Sequence, residues 1–314
     1  MFVNEFISLF AVLIAVFVFG ITVMRLGLES MSKRHIQTIL LKMTDRPWKS
    51  FLIGIGLTAL IQSSSAVMII TIGLLAAGII RFKQTIGIIL GANVGTTITV
   101  EMITLDISDP AILIGLLVFG AGLLFFRSQW LFSSGCVLFG LGAVFTSING
   151  LEELAEPLAN LKWIHHLLLI TNNNHLAGAA VGSVFTAIIQ SSSAATAIAM
   201  AFVNKGQLSL EAGVAIVLGA NIGTCFTAWL ASFRANLEAK LASYAHIGLN
   251  VAGVILFLPF INFVSEMAVN LSSVPSAQLA HISVLFNVFC SLAALPFTDR
   301  IARFFYRISG SGQD

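Results

Sequence analysis

The chain has 314 residues, of which 57% are hydrophobic and only 10% charged, with a formal net charge of +2. A soluble domain carries about 25% charged residues, so this composition excludes a water-soluble globular fold and implies an integral membrane protein in a lipid bilayer. The small net charge says nothing about nucleic acid, but no basic stripe with interleaved aromatics appears, so no nucleic-acid partner is expected.

Eight stretches contain no Asp, Glu, Lys or Arg: 6–24, 51–80, 110–126, 129–148, 176–204, 212–233, 241–265 and 276–298. They are continuously apolar rather than alternating with period two, which predicts membrane helices and not a barrel. The first, 6–24, is a span and not a signal peptide, because no basic segment precedes it and Arg25 stands where a cleavage site would need small residues. Residues 28–49 are amphipathic and basic; they suit either the inner headgroups or a solvated cytoplasmic loop.

Segment 51–80 is too long for one straight span and carries Gln62-Ser63-Ser64-Ser65 at its middle. Serine hydroxyls compete for backbone bonds, which favours a break and a re-entrant hairpin over one overlong helix. Segment 84–105 is predicted as a helix broken at Gly91-Ala92-Asn93-Val94-Gly95-Thr96. Spans 110–126 and 129–148 follow. Residues 149–175, with Glu152, Glu153, Glu156, Pro157 and Asn172-Asn173-Asn174, are expected to be an exposed extracytoplasmic linker.

The pattern then repeats. Gln190-Ser191-Ser192-Ser193 lies 128 residues after the first serine string, within a second hairpin at 176–204. Gly219-Ala220-Asn221-Ile222-Gly223-Thr224 lies at the same offset of 128, in a second broken helix at 208–233, and Thr227 matches Thr99. Helices 241–265 and 276–298 and a short cytoplasmic tail complete the chain. The expected fold is therefore all-α, with inverted-topology repeats over 1–148 and 176–314, about seven full transmembrane helices and two re-entrant hairpins.

Charge arbitrates the topology. With two hairpins, 14 of the Lys and Arg residues fall on one side and two, Lys162 and Lys205, on the other; with two single crossings the split is 12 to 4. The positive-inside rule favours the hairpins, with the N-terminus outside and the C-terminus cytoplasmic. The expected location is the plasma membrane, or the inner membrane of a Gram-negative cell.

Broken helices in a membrane leave N–H and C=O groups that water cannot satisfy, so such backbone persists only when buried in protein or facing an ion or aqueous cavity. Helix N-termini suit an anion; carbonyl, serine and amide oxygens suit a hard cation such as Na⁺. A single serine string reads as helix-packing glue, but four polar strings at one offset point to a shared binding site. No Lys or Arg lies within either hairpin or motif helix, so an anion there would rely on hydroxyls, N–H groups and co-bound cations. Glu101 and Glu211 are expected at the interface. His246 and His281 are read either as packing residues or as a proton route. Cys136, Cys225 and Cys290 are isolated and lack metal-ligand spacing. No His, Asp or Glu accompanies the serines as a base, so catalytic residues are not expected.

These residues resemble the sodium–phosphate cotransporter family, the Na⁺/Pi type II group and its bacterial relatives, whose hallmark is the doubled Gln-Ser-Ser-Ser string followed by Gly-small-Asn-Ile/Val-Gly-Thr. Ala245-His246…Asn250 and Ala280-His281…Phe286-Asn287 extend the resemblance across nearly the whole chain. It implies phosphate-facing Ser63, Ser64, Ser65, Ser192 and Ser193, and Na⁺ ligands at Gln62, Asn93, Thr96, Gln190, Ser191, Asn221, Thr224 and Thr227. It further implies Na⁺-coupled symport of inorganic phosphate, with Na⁺ the co-transported ion and no organic cofactor or transition metal. A homodimer is compatible with it. Carriers or exporters of another small oxyanion and a passive anion channel remain as alternatives. Cys225 replaces the hydroxyl that Thr97 supplies in the first half. Many bacterial relatives continue into a PhoU-like domain, whereas this sequence ends at Asp314, so a form without that domain is expected.

Overall fold

The computed structural model describes residues 2–41 and 46–310, with side chains placed at 4–31 and 46–310. Among them every regular element is helical. In chain order these are α1 (Phe2–Leu41), α2 (Pro47–Ile61), α3 (Ser64–Ala76), α4 (Phe82–Ile103), α5 (Pro110–Leu123), α6 (Gln129–Ala159) and α7 (Lys162–Asn173). There follow α8 (His175–Ile189), α9 (Ser192–Asn204), α10 (Leu210–Ser232), α11 (Leu237–Phe257), α12 (Ile261–Leu271), α13 (Pro275–Ala294) and α14 (Thr298–Ile308). Short 3₁₀ turns, each reading Leu-Pro-Phe, join α11 to α12 and α13 to α14. The interfacial or looped placement of the basic segment 28–49 turns on side chains at 32–45, which lie outside the described residues.

Both serine strings break their helices, giving the hairpins α2–α3 and α8–α9. The arms have 15, 13, 15 and 13 residues. At 1.5 Å per residue an arm of this length reaches about 20–22 Å, short of a hydrocarbon core of about 30 Å. Each hairpin therefore enters the molecule and returns.

Hydrogen bonds at the hairpin mouths fix their relative direction. Asn236, just after α10, donates its side-chain N–H to the Ala76 carbonyl at 3.2 Å, at the mouth of the first hairpin. Before α10, the backbone N–H of Ser209 donates to Asn172 Oδ1 at 2.9 Å, beside the mouth of the second. The start of α13 lies at that same end, where the Ser276 N–H donates to Asn204 Oδ1 at 2.9 Å. Thus α10 runs from one mouth to the other, and the hairpins point into the molecule from opposite faces. These are called below the Arg81 face and the Asn204 face. By these contacts and the Lys83–Asp299 ion pair, α10 and α13 cross between the faces. Six stretches are long and apolar enough to span a bilayer by length and composition; α5, with 14 residues, is shorter than these. Its preceding loop is tied to α6 where Asn149 donates to the Ile107 carbonyl.

Two sequence expectations are corrected. The Gly-Ala-Asn strings do not break their helices: α4 and α10 run uninterrupted through Gly91 and Gly219. The glycines are used for contact instead. A Cβ on Gly91 would collide with the Phe51 carbonyl, and one on Gly219 with the Ala179 carbonyl. Gly95 and Gly223 likewise meet Thr58 Cβ and Thr186 Cβ, at 2.6 and 2.7 Å from an added Cβ. The entering arm of each hairpin thus lies backbone to backbone on its motif helix, the usual role of small residues between membrane helices. The second correction concerns 149–175. It is not an exposed linker: α6 continues to Ala159 and α7 follows, with Leu154, Ala155, Leu158 and Ile164 buried against Phe202 and Leu208.

This packing predicts a sharp contrast between glycines. Gly219→Ala is expected to cost at least about 2 kcal/mol through backbone displacement. Gly56→Ala, which meets nothing within 4 Å, is expected to be neutral or to stabilise by up to about 1 kcal/mol through helix propensity. Thermal unfolding of the detergent-solubilised variants checks both.

Candidate functional site

The two breaks are built alike. Gln62 ends α2 in the left-handed region (φ 54, ψ 33) and Gln190 ends α8 the same way (φ 57, ψ 28). Their N–H groups donate to the Thr58 and Thr186 carbonyls, both at 2.7 Å. Among the described residues these are the only non-glycine residues with positive φ. That conformation costs roughly 1–2 kcal/mol for an L-residue, and strain of this kind clusters at functional sites. The following serine turns extended and caps the returning helix. Ser63 Oγ accepts the Ala66 N–H at 3.1 Å, and Ser191 Oγ accepts the Ala194 N–H at 3.2 Å. The N–H groups of Ser64, Ser65, Ser192 and Ser193 precede the first intrahelical bonds of α3 and α9, so they remain available at positively polarised helix ends.

Both breaks reach one small cavity of about 30 Å³. It is lined by Gln62, Ser63, Ser64 and Ser65 from the first hairpin, by Gln190, Ser191, Ser192 and Ser193 from the second, and by Thr96 and Thr224 from the motif helices. These are ten of the thirteen residues singled out from sequence. Thr96 and Thr224 donate to the Ala92 and Ala220 carbonyls of their own helices, each at 2.9 Å, which leaves their oxygen lone pairs free.

Three expected ligands do not line this cavity. Asn93 donates to Asn250 Oδ1 at 3.2 Å and faces a separate, mostly apolar cavity of about 240 Å³ beside Asn287 and Ser291. Asn221 turns back to the Val217 carbonyl, and Thr227 to the Thr224 carbonyl, both at 2.9 Å. An unbroken helix explains all three: without a kink at the Gly-Ala-Asn string, successive side chains fan out around the axis, and of the five expected ligands on α4 and α10 only Thr96 and Thr224 reach the cavity.

Two residues at the site escaped the sequence reading. Thr99 donates to Gln62 Oε1 at 2.7 Å; its match to Thr227 was the available signal. Arg25 lines the cavity from α1, and its Nη2 donates to the Gln62 carbonyl at 3.4 Å while Nε is buried without a hydrogen-bond partner. The expectation of a site without basic residues is thereby corrected, and the one-sided charge tally loses one member, from 14 to 13. The only signal was an apolar pattern that continues past Arg25 through Leu26 and Leu28.

The halves are not equivalent in detail. Gln62 is held by Thr99, by Arg25 and by its own Nε2 donating to the Ala59 carbonyl at 2.6 Å. Gln190 has only its backbone bond to Thr186 and is exposed. Away from the cavity, Glu101 is not simply interfacial: its Oε1 lies 2.9 Å from His281 Nδ1. His246 is buried, its carbonyl accepting from Asn250 Nδ2 at 2.9 Å.

Comparison with known proteins follows the same division into halves. A family model described as Na⁺/Pi-cotransporter matches twice, over residues 16–153 and 156–293. The chain is 42% identical to YqeW of Bacillus subtilis, a protein described as uncharacterized, over 95% of both chains. It is 28% identical to YjbB of Escherichia coli K12, provisionally named an inorganic phosphate export protein, over 93% of this chain but only 53% of YjbB. The chain thus spans about half the length of that relative. A shorter stretch, 25% of this chain and 13% of the relative, is 36% identical to the rabbit sodium-dependent phosphate transport protein 2A. No solved structure matches the chain.

The capping roles separate the serines. Ser63→Ala and Ser191→Ala are each expected to lower stability by about 1 kcal/mol in ligand-free protein. Ser65→Ala and Ser193→Ala, which cap nothing, are expected to lower it by less than about 0.5 kcal/mol. Thermal unfolding in detergent, without phosphate or Na⁺, distinguishes the two pairs.

Proposed function

We propose that this chain, which belongs to the Na⁺/Pi-cotransporter family, carries inorganic phosphate across the membrane together with Na⁺ by alternating access. One observation carries the reading: two oppositely directed hairpins place their strained breaks, their serine oxygens and their helix N-termini around a single cavity. The N–H groups at Ser64, Ser65, Ser192 and Ser193 suit phosphate oxygens. The Gln62 and Gln190 amide oxygens, Ser191, Thr96 and Thr224 suit Na⁺.

Electrostatics supports the coupling. Among the described residues no carboxylate lines the cavity, so cations bound there are best balanced by the anion, and each favours the other. Carrying a doubly charged phosphate into a negative cell opposes about 4.6 kcal/mol at 100 mV, twice the single-charge value, and two Na⁺ cancel that term. The cavity supports a moving site as well. At about 30 Å³ it is too small for hydrated phosphate together with Na⁺. Loading therefore requires the hairpin tips to separate toward one face, and the less restrained Gln190 side supports opening there first. The basic residues Arg81, Lys83, Arg127, Arg234, Lys240, Arg300, Arg303 and Arg307 belong to elements ending at the Arg81 face. By the positive-inside rule that face is cytoplasmic.

A second reading keeps the chemistry and reverses the direction, since the name of YjbB concerns export. Phosphate uptake into sealed proteoliposomes, with and without an inward Na⁺ gradient, tests coupling; repeating it with the gradient reversed tests direction. Uptake is expected to rise at least tenfold with the gradient. Gln190→Ala and Ser192→Ala are expected to reduce that uptake at least tenfold while leaving the protein in the membrane. Normal Na⁺-driven uptake by both variants would reject the site, and uptake indifferent to Na⁺ would reject the coupling.

A further inference from the structure

Arg25 is the one charged residue lining the cavity. It is carried by the face of α1 that also turns Phe17, Ile21 and Met24 into the core, and Ile21, one turn earlier, lines the same cavity. The guanidinium is therefore anchored by packing rather than free in a loop. Its one recorded hydrogen bond is the long contact to the Gln62 carbonyl, while Nε is buried with no partner. Glu29, one turn further along α1, is the acidic group that acts on it electrostatically, and Glu29 does not line the cavity.

A half-buried guanidinium whose Nε is buried without a partner is unfavourable unless an anion meets it. The groups around it do not relieve that cost: serine hydroxyls and the N-termini of α3 and α9 also favour negative charge. Arginine further presents Nε–H and a terminal N–H as a planar fork that matches two oxygens of a tetrahedral oxyanion, which lysine cannot do. Resting on the phosphate reading above, we infer that Arg25 is the specificity-determining residue of the site. It grips two oxygens of the cargo and selects the doubly charged over the singly charged oxyanion.

The test is initial-rate phosphate uptake in Na⁺-loaded gradients by wild type, Arg25→Gln and Arg25→Lys, over the pH range in which inorganic phosphate gains its second charge. Arg25→Gln is expected to raise the phosphate KM at least tenfold with maximal rate within about threefold. Its KM should rise with pH, where the wild-type KM falls. Arg25→Lys, which keeps the charge and loses the fork, is expected to show an intermediate KM and the wild-type pH trend. A phosphate KM in Arg25→Gln within twofold of wild type, or an unaltered pH trend, overturns the inference. If Arg25→Gln does not reach the membrane, a wild-type KM in Arg25→Lys overturns it. Wild-type protein that takes up no phosphate overturns the underlying reading instead.

Discussion

The structure depends on the backbone polarity released where two helices stop inside the molecule. Each break frees carbonyls at the end of one half-helix and N–H groups at the start of the next, in surroundings where water is scarce. Part of that polarity is absorbed locally: Gln62 and Gln190 bond back to Thr58 and Thr186, and Ser63 and Ser191 cap the returning helices. The remainder is turned inward, toward the cavity that both breaks line. A cavity assembled from helix ends needs few charged side chains, in keeping with a chain that is 10% charged.

Such tips must be held in register, and the glycine contacts do this. Gly91 against Phe51, and Gly219 against Ala179, bring each hairpin's entering arm into backbone contact with the motif helix beside it. Because α4 and α10 are continuous, each forms a rigid rail along which a hairpin lies. The returning arms cross over: α3 packs on α10 as well as α4, and α9 on α4 as well as α10. Movement of one half is therefore felt by the other. The long antiparallel pair α1 and α6, seated glycine to glycine at Gly20 and Gly140, gives the halves a common backing.

Departures from symmetry give the site its polarity. Arg25 lines the cavity from the first half with no basic residue beside it from the second, and Thr99 holds Gln62 while Thr227 turns away from Gln190. Glu101 pairs with His281, whereas Trp229 occupies the matching place in the second half. A duplicated scaffold with one-sided electrostatics can bind the same cargo from two directions without treating its halves as interchangeable.

The amino-acid sequence by itself determined the membrane setting, the duplication and the places where the hairpins turn. These follow from composition, from a fixed offset, and from serine's local competition for backbone bonds, none of which requires knowledge of distant contacts. It also singled out ten of the residues that line the cavity, because polar strings repeated at one offset inside apolar segments stand out from ordinary packing. Tertiary structure alone decided whether a Gly-Ala-Asn string bends or packs. Glycine permits both, and the choice fell to the carbonyls of Phe51 and Ala179 lying against it. It likewise decided that Asn93, Asn221 and Thr227 face elsewhere, because an unkinked helix aims each side chain by its angle about the axis. The place of Arg25 was decided the same way: the rotation of α1 against α6 and the hairpins turns that residue inward, and no local pattern encodes a rotation set by partners far away in the chain.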